Sequence, residues 1–316
     1  MSENMNPFGP GGWTPTNLPR CEGKTFVVTG ANSGLGFETT KYLAAQGGRV
    51  LMLCRNKAKG EAAMVAIKSS VGADADLTLI DLQLDDLNSV EAAAQAVRDR
   101  TDTIDALIAN AGIMMTPKRL LTKQGHELQF GTNHLGHFAL CARLADLVEP
   151  TAGRYVIVSS IAHKWGLKRI KFEDTKFDTG YSPIKAYGQS KLANLLFMRM
   201  LDKRLRAKAS GQKAIACHPG HSATNLQVTG PGYITGVIMK YLVNPLMAQS
   251  AEQGAWSTVL SAIEPEAISG EFYGPIGLQN RGGLVAQSAI APFGEDDAAA
   301  AKLWEYSEQT TGVSWP

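Results

Sequence analysis

The sequence predicts a doubly wound α/β fold, a Rossmann-like parallel sheet with helices on both faces, and three observations predict it. Short runs of aliphatic and β-branched residues recur along the chain, separated by helix-like stretches, which is the pattern of strands buried on both faces. A glycine-rich octapeptide, TGANSGLG at 29–36, follows the first run and opens the first helix-like stretch. The chain has 316 residues, 44% of them hydrophobic and 19% charged, enough for one large domain with a sizeable core.

The elements follow in order. Residues 1–20 are rich in Pro, Gly and Asn and read as a flexible N-terminal arm, with a single domain over 21–316. FVVTG is the first strand, and Leu35 to Gln46 is helical, stopped by Gly47-Gly48. VLMLC at 50–54 is the second strand, followed by an Ala-rich helix from Lys57 to Ser70. LTLI at 77–80 leads into Asp81, and a helix runs from about Asp86 to Arg100. IDALIAN (104–110), RYVIVSS (154–160) and KAIAC (213–217) bring the strand runs to six. A C-terminal extension then adds an apolar, glycine-punctuated segment at about 222–250 and a helix from Ala298 to Thr310.

Composition excludes several classes of function. A formal net charge of +2 leaves no broad basic face, so nucleic acid is not expected as a partner, and the basic stretch from Lys164 to Lys171 reads as a solvated loop. The four cysteines show no CxxC spacing, and Cys54 and Cys217 sit in strand-like runs as buried thiols, which favours a reduced, cytoplasmic compartment. The N-terminus has no basic-then-apolar leader. No stretch reaches the roughly 18 apolar residues of a membrane span. The nearest approach, Tyr233 to Met247, is broken by Lys240, Asn244 and Pro245.

The octapeptide points to a phosphate. Gly30, Asn32, Ser33, Gly34, Leu35 and Gly36 form a turn in which glycine permits close backbone approach, and the next helix aims its free N–H groups at an anion. The spacing G-x-x-x-G-x-G lacks the Gly-Lys-Ser/Thr of a nucleoside triphosphate loop. At the end of the second strand, where NAD-binding folds place a carboxylate for the ribose 2′-OH, stand Cys54 and Arg55. A guanidinium suits a 2′-phosphate, so NADP(H) is predicted over NAD(H).

Tyr187 and Lys191 have the i, i+4 spacing of one helical face. A nearby ammonium and a cationic nicotinamide would lower the tyrosine pKa from about 10 and make it a proton donor or acceptor near neutral pH. Tyr181 and Lys185 have the same spacing. Ser182-Pro183 reads as an N-cap followed by the first helical residue, which leaves Tyr181 outside the helix.

TGANSGLG, Asn110-Ala111-Gly112, Asn133 in NHLG, Ser160 in VSS, YGQSK and Pro219-Gly220 in HPG resemble, in this order over 29–220, the short-chain dehydrogenase/reductase family. The wording TNHLGHF, SSIAH and SKLANLLF is most similar to its retinol dehydrogenase-like branch, which includes relatives of light-dependent protochlorophyllide reductase. The resemblance implies Tyr187 as general acid in reduction, Lys191 as the group that lowers its pKa and holds the nicotinamide ribose, and Ser160 as hydrogen-bond partner of the substrate carbonyl. It implies that Asn133 supports a water joining Lys191 to solvent, and that Asp81, with Leu82, borders the adenine. Asn110, Ala111, Gly112, Pro219 and Gly220 would border the cofactor, and Thr224 would bond the carboxamide. The implied activity is hydride transfer between NADP(H) and a carbonyl or alcohol, with a hydrophobic aldehyde or ketone favoured by the apolar lid. A non-catalytic NADP(H)-binding sensor of the same fold is the alternative. Helices around Asn133 and Tyr187 are candidate homodimer faces by the same resemblance, although apolar stripes fit a core equally.

Two departures from the family pattern stand out. Ser160 and Tyr187 are 27 positions apart, about twice the separation of many members, and the extra segment reads either as a flap beside the substrate or as a solvated excursion. The membrane-anchoring N-terminal segment of many retinol-type members is not seen in this sequence. In the segment at about 222–250, which the resemblance implies is a lid over the substrate, Leu226, Tyr233, Ile234, Val237, Met239, Tyr241 and Leu242 read equally as pocket lining or as core or a dimer surface. His126, His134 and His137 lack carboxylate partners at ligand spacing, as His218 and His221 lack cysteines, so no metal is expected. No G-x-S-x-G is present for a serine hydrolase.

Overall fold

The computed structural model describes residues 7–9, 11–220, 250–276 and 284–316. Its centre is an eight-stranded sheet in the order β3-β2-β1-β4-β5-β6-β7-β8. The strands are β1 (Thr25–Thr29), β2 (Arg49–Cys54), β3 (Leu77–Asp81), β4 (Ala106–Ala109), β5 (Arg154–Val158), β6 (Lys213–Cys217), β7 (Phe272–Pro275) and β8 (Val285–Gln287). All neighbours pair in parallel except β7 and β8. The six strands legible from apolar runs are present. The last two were missed because FYGP and VAQ are too short and too interrupted to stand out as runs.

The helices are α1 (Gly34–Ala45), α2 (Lys57–Val71), α3 (Leu87–Arg98), α4 (Leu128–Phe130), α5 (Gly136–Arg143), α6 (Pro183–Ala207), α7 (Ala251–Ile263) and α8 (Asp297–Thr311). A π-helical turn, Gly131–Leu135, joins α4 to α5. Alternation along the strands builds two cores. Val27, Leu51, Leu53 and Leu107 face one side, where Val90, Phe138, Phe197 and Trp304 pack on them. Phe26, Val28, Val50, Met52 and Ile108 face the other, against Leu43, Ile67, Val259 and Leu260. Such runs are apolar throughout because both faces are covered.

Helix ends follow their caps. Asn56 accepts from the Lys59 amide at 2.9 Å and starts α2, and Asp86 caps α3 through the Asn88 amide at 3.0 Å. The residues read as an arm lie against the sheet from Trp13 onward. Trp13 exchanges backbone hydrogen bonds with Val285 at 2.7 and 2.9 Å, and its indole N–H donates to Glu264 at 2.8 Å. That bridge covers the outer edge of β8. Among the described residues no helix is long and apolar enough to cross a membrane.

Candidate active site

The strand order reverses its direction of growth between β1 and β4, and in open α/β sheets ligands bind beyond the carboxyl ends of the strands at such a point. A cleft of about 730 Å³ opens there. One wall is the turn from β1 to α1, with Gly30, Asn32, Ser33, Gly34, Leu35 and Gly36 all lining it. Gly36 is required by contact. A Cβ there would stand 2.6 Å from Asn110 Nδ2 and 2.8 Å from the Gly30 carbonyl carbon, both fixed groups. The Asn110 amide is fixed because its Nδ2 donates to the Thr29 carbonyl at 2.8 Å. Thr29 Oγ1 in turn accepts from the Asn110 and Ala111 amides at 2.9 Å each. Thr29 of β1 and Asn110, just after β4, thus set the shape of the glycine turn.

Arg55 follows β2 on the same wall, exposed and without an ion pair among the described residues. Asn56 and Lys59 stand beside it. Sequence reading missed both; the signal was Lys59 one helical turn beyond Arg55, in the first turn of α2. Leu82 lines the cleft, but Asp81 does not. It ends β3 with its side chain exposed, and the chain turns so that the next residue faces inward. Asp85, Ile113, Met114 and Thr132 also line the cleft and were missed as well.

The opposite wall carries Ser160, Tyr187 and Lys191. The sequence brings them together through two elements. Ser160 ends the segment after β5, where its Oγ accepts from the Ala162 amide at 3.1 Å and starts a short 3₁₀ turn, Ile161–Lys164. Tyr187 and Lys191 lie one turn apart on α6, with Lys191 Nζ 5.9 Å from the centre of the Tyr187 ring. Helix α6 starts at Pro183, so Tyr181 stands outside it, and its hydroxyl hydrogen bonds with Thr116 and Gln129 instead. Lys191 Nζ donates to the Val158 carbonyl at 3.1 Å, and Ser159 Oγ donates to the Lys191 carbonyl at 2.7 Å.

Electrostatically the pair is dry. Burial pushes Tyr187 up to about 12, opposed by a hydrogen bond with Ser160, and burial pushes Lys191 down to about 8. The lowering expected from Lys191 together with a cationic nicotinamide is therefore not produced by the protein's own groups alone, where burial raises the tyrosine.

Asn133 lies behind the cleft, fully buried in the π-helical turn. Its Oδ1 accepts from the Ile113 amide at 2.8 Å, and its Nδ2 donates to the Ile113 carbonyl and to Ser190 Oγ, each at 2.9 Å. Ser190 Oγ donates to the Tyr187 carbonyl at 2.8 Å. Asn133 is therefore a strut between the 110–113 turn and the tyrosine, and His137 Nδ1 donates to its carbonyl at 3.0 Å. Asn110, Ala111, Gly112, Pro219 and Gly220 line the cleft. Thr224 and the lid residues lie outside the described residues. Of the long segment between Ser160 and Tyr187, Ile161 and Trp165 line the same cleft. His126, His134 and His137 diverge: His134 pairs with Ser307 at 2.8 Å and His137 with Thr29 at 2.9 Å.

Residues 24–172 match the family model of the short chain dehydrogenases. Retinol dehydrogenase 12 of Mus musculus is 35% identical over 315 residues, 99% of this chain and 93% of that protein. Retinol dehydrogenase 13 of Homo sapiens is 36% identical over 93% of this chain and 86% of its own length. Among solved structures, an uncharacterised protein from Mycobacterium paratuberculosis superimposes with a TM-score of 0.79 at 38% identity, covering 96% of this chain and 99% of that one.

Proposed function

The chain belongs to the short-chain dehydrogenase family, and from that premise we propose that it is an NADP(H)-dependent oxidoreductase acting on a hydrophobic aldehyde or ketone and the corresponding alcohol. One observation carries the reading. Ser160, Tyr187 and Lys191 open on the same cleft as the Gly30–Gly36 turn, so a dinucleotide held on that turn would share the cleft with the three polar groups. When bound, the nicotinamide supplies or accepts the hydride.

The residues present fit that cofactor. The glycine turn and the N-terminus of α1 would hold the pyrophosphate, and Gly112, Pro219 and Gly220 the nicotinamide half. Arg55 and Lys59 supply the positive charge that a ribose 2′-phosphate needs, which supports NADP(H) over NAD(H). The chemistry of the side chains follows from their burial. With its pKa pushed up to about 12, Tyr187 rests as a phenol and holds the proton that a reduced carbonyl oxygen requires. Ser160 offers its hydroxyl to the same oxygen as charge develops there. Lys191, near 8, is still mainly an ammonium at neutral pH and favours the phenolate left behind. Asn133 acts by holding Tyr187 through Ser190 rather than by touching substrate.

Trp165 and Ile161 in the cleft lining support a hydrophobic substrate, in line with relatives named retinol dehydrogenases. Four buried free thiols fit a reducing, cytoplasmic setting. The test is NADPH consumption by the purified protein with a panel of aldehydes, ketones and retinoids, with NADH as control. Turnover that prefers NADPH and apolar substrates is the expected result. Tight NADPH binding without turnover on any of them would replace the enzyme by a cofactor-binding sensor.

A further inference from the structure

Two buried imidazoles stand behind the cleft, and each holds a part of its wall. His163 is fully buried in the turn after β5. Its backbone N–H and its Nδ1–H both donate to the Ser160 carbonyl, at 3.1 and 2.7 Å, while its Nε2 accepts from the Ala291 amide at 3.2 Å. His218 follows β6 with the opposite arrangement. Its Nδ1 accepts from the Gly220 amide at 3.1 Å, which puts the ring proton on Nε2, 2.9 Å from Ser288 Oγ. Both rings lie against Phe272 of β7, with centroids 5.7 and 4.8 Å away. The Ser288 amide donates to the Phe272 carbonyl at 2.6 Å. Gly274 of β7 leaves room for His218, since a Cβ there would fall within the imidazole ring.

The two arrangements share a plan. Each ring has both nitrogens engaged, each in one defined tautomer, one end on a residue of the cleft wall and the other on the segment just after β8. Apolar side chains would fill the same space without desolvating four polar contacts, so packing alone does not account for imidazole at both places. We infer that the C-terminal unit of β7, β8 and residues 288–291 braces the active site, with His163 and His218 as positioning residues: His163 sets Ser160, and His218 sets the Pro219–Gly220 turn at the cofactor. This rests on the oxidoreductase reading in assigning Ser160 to the substrate and Gly220 to the cofactor.

The two arms predict a split between parameters that a common structural role would not produce. The full-length protein and its His163→Phe, His163→Asn, His218→Phe and Ser288→Ala variants are compared for NADPH Kd, for kcat at saturating NADPH, and for Tm. His163→Phe is expected to lower kcat roughly 10- to 100-fold through a misplaced Ser160, with NADPH Kd changed less than about threefold. His163→Asn keeps a donor near the Nδ1 position and recovers most of that loss. His218→Phe and Ser288→Ala raise NADPH Kd, about fivefold for the single hydrogen bond lost in Ser288→Ala, with kcat at saturation nearly unchanged. Parallel loss of kcat, affinity and Tm on both arms would overturn the brace, as would wild-type values in His163→Asn and Ser288→Ala together with equal defects in the two Phe variants. Wild-type protein that binds NADPH but turns nothing over defeats the functional reading instead. The brace is then decided by whether NADPH Kd rises for the His218 and Ser288 variants and not for His163→Phe.

Discussion

The two walls of the cleft are built on different principles. The wall from β1 to α3 is shaped by backbone: a turn that Gly36 keeps open, a helix N-terminus, and exposed cations at Arg55 and Lys59. The wall from β5 and α6 is shaped by buried side chains tied to main-chain groups across elements, as Lys191 is to Val158 and Ser159 to Lys191. A backbone cradle tolerates exchange of most side chains but not added volume. A buried hydrogen-bonded wall tolerates neither a lost partner nor a gained charge, because its groups cannot turn to water instead. On the proposed function, cofactor binding rests mainly on the tolerant wall and the chemistry on the intolerant one.

The sharpest way to break this contrast is Tyr187→Phe. Removing the proton this wall is proposed to donate should lower kcat by about 10²- to 10⁴-fold while NADPH affinity, carried mainly by groups other than the phenol, stays within a few-fold. Steady-state kinetics and a fluorescence titration of NADPH check both halves; persistent turnover would mean the proton comes from elsewhere.

Acid should strike the intolerant side next. Burial holds His137 at about 4 and His134 and His218 at about 3, all below the value near 6.5 of the unfolded chain. The unfolded state therefore takes up protons first as pH falls. Stability is complete above about 6.5 and drains away below it, on the order of 1 kcal/mol per pH unit for each imidazole. Thermal melts between pH 7.5 and 5 should show Tm falling mainly below 6.5, by roughly several degrees per unit. A flat Tm over that range would show that these rings are not held neutral.

On the tolerant wall, Gly36→Ala adds one methyl where Asn110 and Gly30 already meet. A stability loss of about 1–3 kcal/mol is expected, together with weaker NADPH binding, read by chemical denaturation and titration. Arg55→Ala is the mildest change. It should leave Tm unaltered and weaken NADPH about tenfold while sparing NADH, a difference that shrinks at high salt. Equal loss for both cofactors would remove Arg55 from the 2′-phosphate.

Much of the fold was legible because its signals are local. The β1 to α1 turn, the apolar runs of β1 to β6 and the Ser182-Pro183 start of α6 all depend on neighbours a few positions away. Tyr181 was set aside by that start alone. The strands β7 and β8 were not legible, since FYGP and VAQ owe their conformation to pairing with β6 and with each other. At the site, Lys59 escaped notice because nothing in its own neighbourhood says that it faces the cleft, while the segment holding Trp165 read equally as flap and as solvated excursion.

The sequence by itself determined the alternation of strand and helix, the glycine turn and the i, i+4 pair of Tyr187 and Lys191, because periodicity and steric permission are properties of short stretches. Only the tertiary structure decided the electrical state of that pair and the partners behind it. Burial comes from every element that packs around Tyr187 and Lys191, and it pushes the tyrosine up and the lysine down. The contacts from His163 to Ala291 and from His218 to Ser288 span 128 and 70 positions, and desolvation and hydrogen bonding at that range exist only once the sheet has closed.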